Sequence, residues 1–414
     1  MTAPTDFRLL AAGMTLSWIG GGFQTIALAV AVLAAGGGAG DLGLVMAGSI
    51  AAMLACALLG GVWADRLQPT RVMVLSDAVR LASTAAMAGM FATDAYRLPL
   101  LCGLAAVSAG AGSFFSPAMM SLRPLLVAPE RRQAANATLS LLQTVSMVVG
   151  PAIGGVVIAR FGAPTGFAVN AASFLASLVA VAMIRTRAPR SARTGLLSEL
   201  GEGWREIRGR DWLLSGVLAA TLFHVANGVV LVLVQVIAIE ELGGPSAAGL
   251  IASAEGLGGV AGAALAMRFR PRRLLRAGWF TLLLMPLWSF SYVWPGALTA
   301  VLVGAVLGYA GLSFFSVAWD TAVQDHVPHR SLGKVASWDL LASFVAMPVG
   351  NVLAGPLSAR WGNDPVLAGC SAVLLVASLA PLLVRGSREL TRPHPQNRDN
   401  SAHAPADDAL ESHP

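Results

Sequence analysis

Twelve stretches of about 20 apolar residues run through the chain, six on each side of one polar break, and each is long enough to cross roughly 30 Å of hydrocarbon. They fall near 9–34, 42–64, 72–92, 98–122, 134–158, 165–184, 213–239, 247–267, 277–294, 296–322, 335–357 and 365–384. A bilayer offers no water to an unpaired N–H or C=O, so runs of this length fold as helices whose backbone bonds are all internal. Charge is scarce to match: 12% of residues are charged and 56% hydrophobic, with a mean hydropathy of +0.68, against roughly 25% charged in a soluble domain. The N-terminus has no cleavable signal pattern, so the first helix is expected to stay in the mature protein.

The two halves are copies. Residues 113–155 align without a gap to residues 313–355, sharing Ser113–Ser116 with Ser313–Ser316, the Gly150/Gly350 and Gly155/Gly355 pairs, and about a dozen identities. A half-length duplication in so apolar a chain predicts two similar bundles facing each other. The expected fold class is therefore an all-α membrane protein of 12 transmembrane helices in two six-helix bundles. The N-terminal bundle spans 1–184, a cytoplasmic linker 185–212, the C-terminal bundle 213–385 and a disordered tail 386–414. The second copy carries acids where the first is apolar: Asp320 against Met120, Asp325 against Leu125, Asp339 against Leu139.

In the linker, Leu196, Leu200, Trp204 and Ile207 recur at helical spacing between charges, which predicts an amphipathic helix on the membrane surface. Of the 28 Lys and Arg residues, all but Arg80, Arg97, Arg160 and Arg360 fall in segments on one side, if both termini share that side. This bias puts both termini in the cytoplasm of a plasma membrane. The same spread excludes nucleic acid as the partner behind a pI near 10.0, because the cations face lipid from separate loops instead of forming one patch. Cys56, Cys102 and Cys370 sit unpaired in apolar segments, so neither a disulfide framework nor a metal site is indicated. The tail from Gly386 is polar and Pro-rich, and its His394, His403 and His413 read as solvated.

Three motifs together carry a family resemblance. Gly61-Val-Trp-Ala-Asp65-Arg66 followed by Arg71 resembles the helix 2–3 loop signature of the major facilitator superfamily. Ser146–Gly155 is similar to the Gly-Pro-x-x-Gly-Gly motif of its antiporters, and Trp319–Gln324, Val327-Pro328, Gly333–Val335 and Ser337–Asp339 are similar to the helix 10–11 region of its bacterial drug and siderophore exporters. Helix 4 lacks the buried arginine of one class of drug:proton antiporters, and the helix 8–9 loop has no acid matching Asp65.

The resemblance implies a gating latch of Gly61, Asp65, Arg66 and Arg71, to which Asp77, Arg80 and Lys334 are joined as nearby charges; the bland alternative is a solvated turn. It implies that Gly150, Pro151, Gly154 and Gly155 bend helix 5 to seal the path, whereas small residues and a proline also suit plain helix packing. Gly256–Ala261 matches a dinucleotide fingerprint, but inside an apolar helix packing explains it.

Ionisable groups within the membrane are costly, which makes each a functional candidate. Glu255 is the deepest acid and His224 lies at similar depth; Asp320 and Asp339 lie nearer the cytoplasmic mouth. All four are proton-coupling candidates, with hydrogen-bonded packing as the alternative for Glu255. Asp77 and Arg80, at i and i+3, are expected to pair within helix 3 or beside the latch, away from substrate. Gln24, Phe115, Asn227, Phe315, Trp319 and Trp338 are the cavity candidates, and the scarcity of cavity arginines argues against small anions. The reading is a proton-coupled exporter of hydrophobic or amphipathic small molecules, a monomer that needs no cofactor and has protons, substrate and lipid as partners. An uncoupled importer or facilitator and a non-transporting sensor or assembly partner stand as alternatives. No nucleophile and base, metal cluster or phosphate loop points to an enzyme.

Overall fold

The computed structural model describes residues 4–64, 68–184, 204–269, 271–293 and 297–391, as backbone alone over 4, 58–64, 329–330, 333, 336–337 and 339–344. Twelve long helical segments stand among the described residues. The first half holds α1 (Pro4–Ala34), α2 (Ala39–Ala64), α3 (Pro69–Ala92), α4 (Leu98–Leu126), α5 (Arg132–Phe161) and α6 (Ala163–Ala182). The second holds α7 (Asp211–Glu240), α8 (Pro245–Arg268), α9 (Leu274–Phe290), α10 (Leu298–His326), α11 (His329–Trp361) and α12 (Asn363–Leu379), followed by the short α13 (Arg385–Glu389).

Prolines open several of these helices: α3, α4, α6 and α8 each have one in the first turn, where no N–H is needed. At the other end, α5 and α11 stop at Gly162 (φ 83°) and Gly362 (φ 80°). Each glycine donates its N–H to the carbonyl four residues back, Ile158 or Ser358, at 2.8 Å. Only glycine takes that backbone conformation without strain. The two caps are offset by the same 200 residues as the duplicated block, so the duplication extends to the helix ends.

Packing repeats in the same way. α1 packs on α5 and α6, α2 on α4, and α3 on α4 and α6; α7 packs on α11 and α12, α8 on α10, and α9 on α10 and α12. These are two six-helix bundles of one plan, and they meet mainly where α5 crosses α8 and α2 crosses α11. Ten of the helices are long and apolar enough to cross a membrane. The outer helices expose apolar side chains such as Leu175, Val179, Leu287, Phe290, Leu375 and Val376, the belt expected against lipid.

Two expectations need correction. The ninth span is not one continuous helix, since it breaks between Leu282 and Met285. Pro286, in the first turn of the second piece, lacks an N–H, and its ring would clash with the carbonyl of Leu282. The tail also begins later than composition suggests, because Ser387 is fully buried and bonds Ser215 at 3.1 Å, and His326 bonds the Thr391 carbonyl at 3.1 Å. In the linker, Leu196 and Leu200 lie outside the described residues, as do the three tail histidines. The helical turn at 204–208 packs on the C-terminal bundle: Ile207 is fully buried, and Trp204 lies on Trp338 with ring centroids 5.0 Å apart.

Candidate functional site

Glycines close one end of the molecule. On α8, Gly249 faces the backbone of Pro151 and Gly155 on α5, and Gly256 faces Met147 and Val148. Ser253 between them donates a hydrogen bond to the Val148 carbonyl at 2.7 Å, besides one within its own helix. On α2, Gly43 lies against the Asn351 carbonyl of α11, and Gly40 against Gly355. All of these lie in the halves of their helices farthest from the basic loops. The helix 5 motif divides its work: Gly150 and Gly154 press on Ile19 and Phe23 of α1, and Gly155 meets α8 of the other bundle.

Toward the basic end the bundles part. The far half of α7 is buried at nearly every position from Ala226 to Ala238, while Leu218 and Leu222 nearer the basic end are 59% and 41% exposed. In α1, Leu16 is 48% exposed, whereas Phe23, Ile26–Ala29 and Val32 are buried. Among the described residues, side-chain burial on α1 and α7 thus falls toward the basic end. On α10, Ser316, Asp320 and Gln324 form an exposed row, and Tyr309 and Ser313 continue it inward at helical spacing.

Glu255 lies ten residues into α8, about 15 Å along an axis of about 36 Å. It sits on the side opposite the exposed Leu250 and Leu257. Its carboxyl is within hydrogen-bonding reach of the Tyr309 hydroxyl, and Tyr292 adjoins it. Trp288 stands edge-on to both tyrosines, at 5.4 Å from Tyr309 and 6.1 Å from Tyr292. Two of the chain's three tyrosines thus surround its deepest acid. Their clustering round one depth was the available signal, and motif reading passes over it. His224, by contrast, turns its Nδ1 to the carbonyl of Ala220 at 2.7 Å in its own helix. Asp320 is exposed on the row just described, with no ion pair among the described residues.

In the first half, Asp77 and Arg80 do pair within α3, at 3.4 Å. They stand eight and eleven residues into the helix, well away from the loop to which the latch reading joined them. Arg71 is exposed in the first turn of α3, Lys334 lies near the start of α11, the α2 backbone continues through Gly61, and Asp65 and Arg66 lie outside the described residues, as does the side chain of Asp339. Arg80 lines a cavity of about 500 Å³ between α1, α3, α4 and α5, with Trp18, Phe115, Arg123, Ser140 and Gln143 among its walls. Arg80 and Arg123 are thus among the cavity's lining residues, whereas Asp77 is not. The Arg80 guanidinium lies against Gly112 of α4.

Of the cavity candidates, Phe115 lines this space. Gln24 turns into the bundle, where it accepts a hydrogen bond from Asn170 at 2.8 Å. Asn227 is buried with its Oδ1 unpartnered. Phe315 lies 4.4 Å from the ring of Trp279, and Trp319 packs edge-on to Trp212 at 5.7 Å and against Gly216. Those two are core residues, on a face of α10 turned from the Ser316–Asp320 row. Trp338 holds the linker turn.

A family model described as Major Facilitator Superfamily matches residues 10–350. The chain is 27% identical over 395 residues to "Multidrug efflux pump Tap" of Mycolicibacterium fortuitum, spanning 90% of this chain and 93% of that protein. It is 24% identical over 298 residues to "Putative bacilysin exporter BacE" of Bacillus amyloliquefaciens, spanning 71% and 74%. Among solved structures, a bacterial homologue of the human lysosomal transporter Spinster, in an inward-facing and unoccupied conformation, superposes with a TM-score of 0.76 at 15% identity. That match covers 95% of this chain and 100% of the other, and it speaks to the fold alone.

Proposed function

Because this chain belongs to the major facilitator superfamily, we propose that it exchanges protons for hydrophobic or amphipathic small molecules and drives them out of the cell by alternating access. It is a multi-pass membrane transporter and not an enzyme. The direction of transport, the coupling ion and the substrate class are our reading. The observation that carries it is Glu255, an acid half-way through the membrane beside Tyr309, on the row of α10 that leads out to the open end. A carboxyl whose described partners are hydroxyl groups and not cations can take up and release a proton. The names of the relatives, an efflux pump and a putative exporter, support the outward direction.

In this reading the membrane is a bacterial inner membrane, with the basic end and both termini in the cytoplasm. The bundles over 1–184 and 213–385 rock against each other within one monomer. Substrate enters the cytoplasmic vestibule as Glu255 gives its proton to the cytoplasm. After the glycine contacts of α5–α8 and α2–α11 open, Glu255 takes a proton from outside and substrate leaves. Asp65, with Arg66 and Arg71, would hold the cytoplasmic side shut in the outward state, and Asp320 would close from the other bundle.

A susceptibility screen of cells expressing the protein, with and without a protonophore, tests this. Resistance to at least one amphipathic compound is expected, abolished by the protonophore and by Glu255→Gln at equal surface expression. Resistance that survives both would remove proton coupling. Heightened sensitivity in expressing cells would indicate import.

A further inference from the structure

The cavity on the inner face of the N-terminal bundle has a cation at its depth that the proton pathway does not use. Arg80 lies eleven residues into α3, about 16 Å from that helix's basic end. One face of its guanidinium rests on the ring of Phe174, 3.9 Å from the centroid. Its Nη1 meets Asp77 at the long distance of 3.4 Å, and this is its one acid partner among the described residues. Asp77 is fully buried, with the Ser177 hydroxyl beside its carboxylate. Arg80 keeps 22% of its side chain exposed, on the cavity side. A planar fork of five donors, one of them committed, leaves a pair free for a two-oxygen anion.

The rest of the cavity fits such a ligand. Trp18 and Phe115 supply flat apolar walls, and Gln143 and Ser140 supply neutral polar contacts. Arg123 stands at the mouth with Nη1 on Asn136 at 3.1 Å and a buried Nε without a partner. Two arginines at different depths of one wall make a path that favours anions from water to Arg80. No acid is among the described residues that line this space.

We propose that the cavity binds amphipathic organic carboxylates, with the carboxylate held two-pronged by Arg80, the apolar body between Trp18 and Phe115, and Asp77 holding the guanidinium in orientation. This rests on the transporter reading above and narrows its substrate class.

Binding of pyrenebutyrate and of its neutral amide to the purified full-length protein tests it, read by pyrene fluorescence. The acid is expected to bind at least tenfold more tightly than the amide. In R80Q that ratio is expected to fall to near one, and R80K, which keeps charge but not the fork, to lie between. If R80Q does not fold because Asp77 is left buried and unpaired, the double variant D77N/R80Q removes both charges and must show the same collapse. A ratio near one in the wild type, or one that persists without Arg80, overturns the proposal. Displacement of the dye by phosphatidylglycerol, an anionic lipid, would assign the site to lipid headgroups instead. Proton-driven transport of the cationic dye ethidium without any preference for pyrenebutyrate would sink this inference and leave the export reading standing. The acid preference without transport of either dye would do the reverse.

Discussion

Glu255 and Arg80 are both ionisable groups set half-way along membrane helices, and they meet the cost of that position differently. Glu255 is an acid among hydroxyl and indole groups, with no cation among its described partners; Arg80 brings its own counter-ion one turn away and stacks on an aromatic ring. The first arrangement suits a group that changes charge, the second a group that keeps it. Tyr309→Phe removes the hydroxyl that Glu255 meets and keeps the ring that packs on Trp288. We expect proton-driven flux to fall roughly tenfold, the worth of one hydrogen bond to a group that becomes charged, with little change in melting temperature. A large loss of stability with flux intact would make Tyr309 a packing residue. Depth was legible in the sequence, because rise per residue converts position into height, and Glu255 is where counting along the helix puts it. Facing was less so. Phe315 and Ser316 are neighbours in sequence and point about 100° apart, so the choice of aromatic residues on α10 selected its packed side.

At the scale of elements, the contact of α5 with α8 sets how tightly the outer end closes. Backbones approach there because Gly155, Gly249 and Gly256 carry no side chain. Gly249→Leu would drive a side chain into the Pro151 carbonyl and hold that end apart; we expect transport to fall at least tenfold and a cysteine placed on the inner face of α5 to become reactive from outside. Unaltered transport and labelling would show the contact to be incidental. Ser253→Ala removes the hydrogen bond to Val148 and should shift the balance away from this state about fivefold, the effect of roughly 1 kcal/mol, seen as faster labelling of the same cysteine. Gly362→Ala strains the left-handed cap of α11 and should cost about 1–2 kcal/mol of stability, measured as a lower melting temperature, while Ala at an exposed mid-helix position costs nothing comparable. The helices were legible because each announces itself by length and hydropathy. The break in α9 follows from Pro286, visible in the sequence but outweighed by the apolar run around it.

Over the whole molecule, the duplication gives two bundles with the same internal packing and unlike linings: an arginine pair of walls in the first half, acids on α8 and α10 in the second. The family's plan explains the sameness, and the acids of the second copy announced the difference in the sequence alone. The first half's cations were hidden because Arg80 reads as one partner of an i,i+3 pair, and only the packing of α3 on α4 shows that its guanidinium reaches the cavity. Export then requires a proton to move through the second half while the molecule alternates between open ends. Proteoliposomes holding the protein under an imposed pH gradient, with pyrenebutyrate and ethidium as cargo, measure this directly. We expect one or both dyes to move against the direction of proton flow in the wild type, with a matching pH change in the lumen, and both signals to vanish together in Glu255→Gln. Dye movement that ignores the gradient, or that keeps its proton signal without Glu255, would contradict the account.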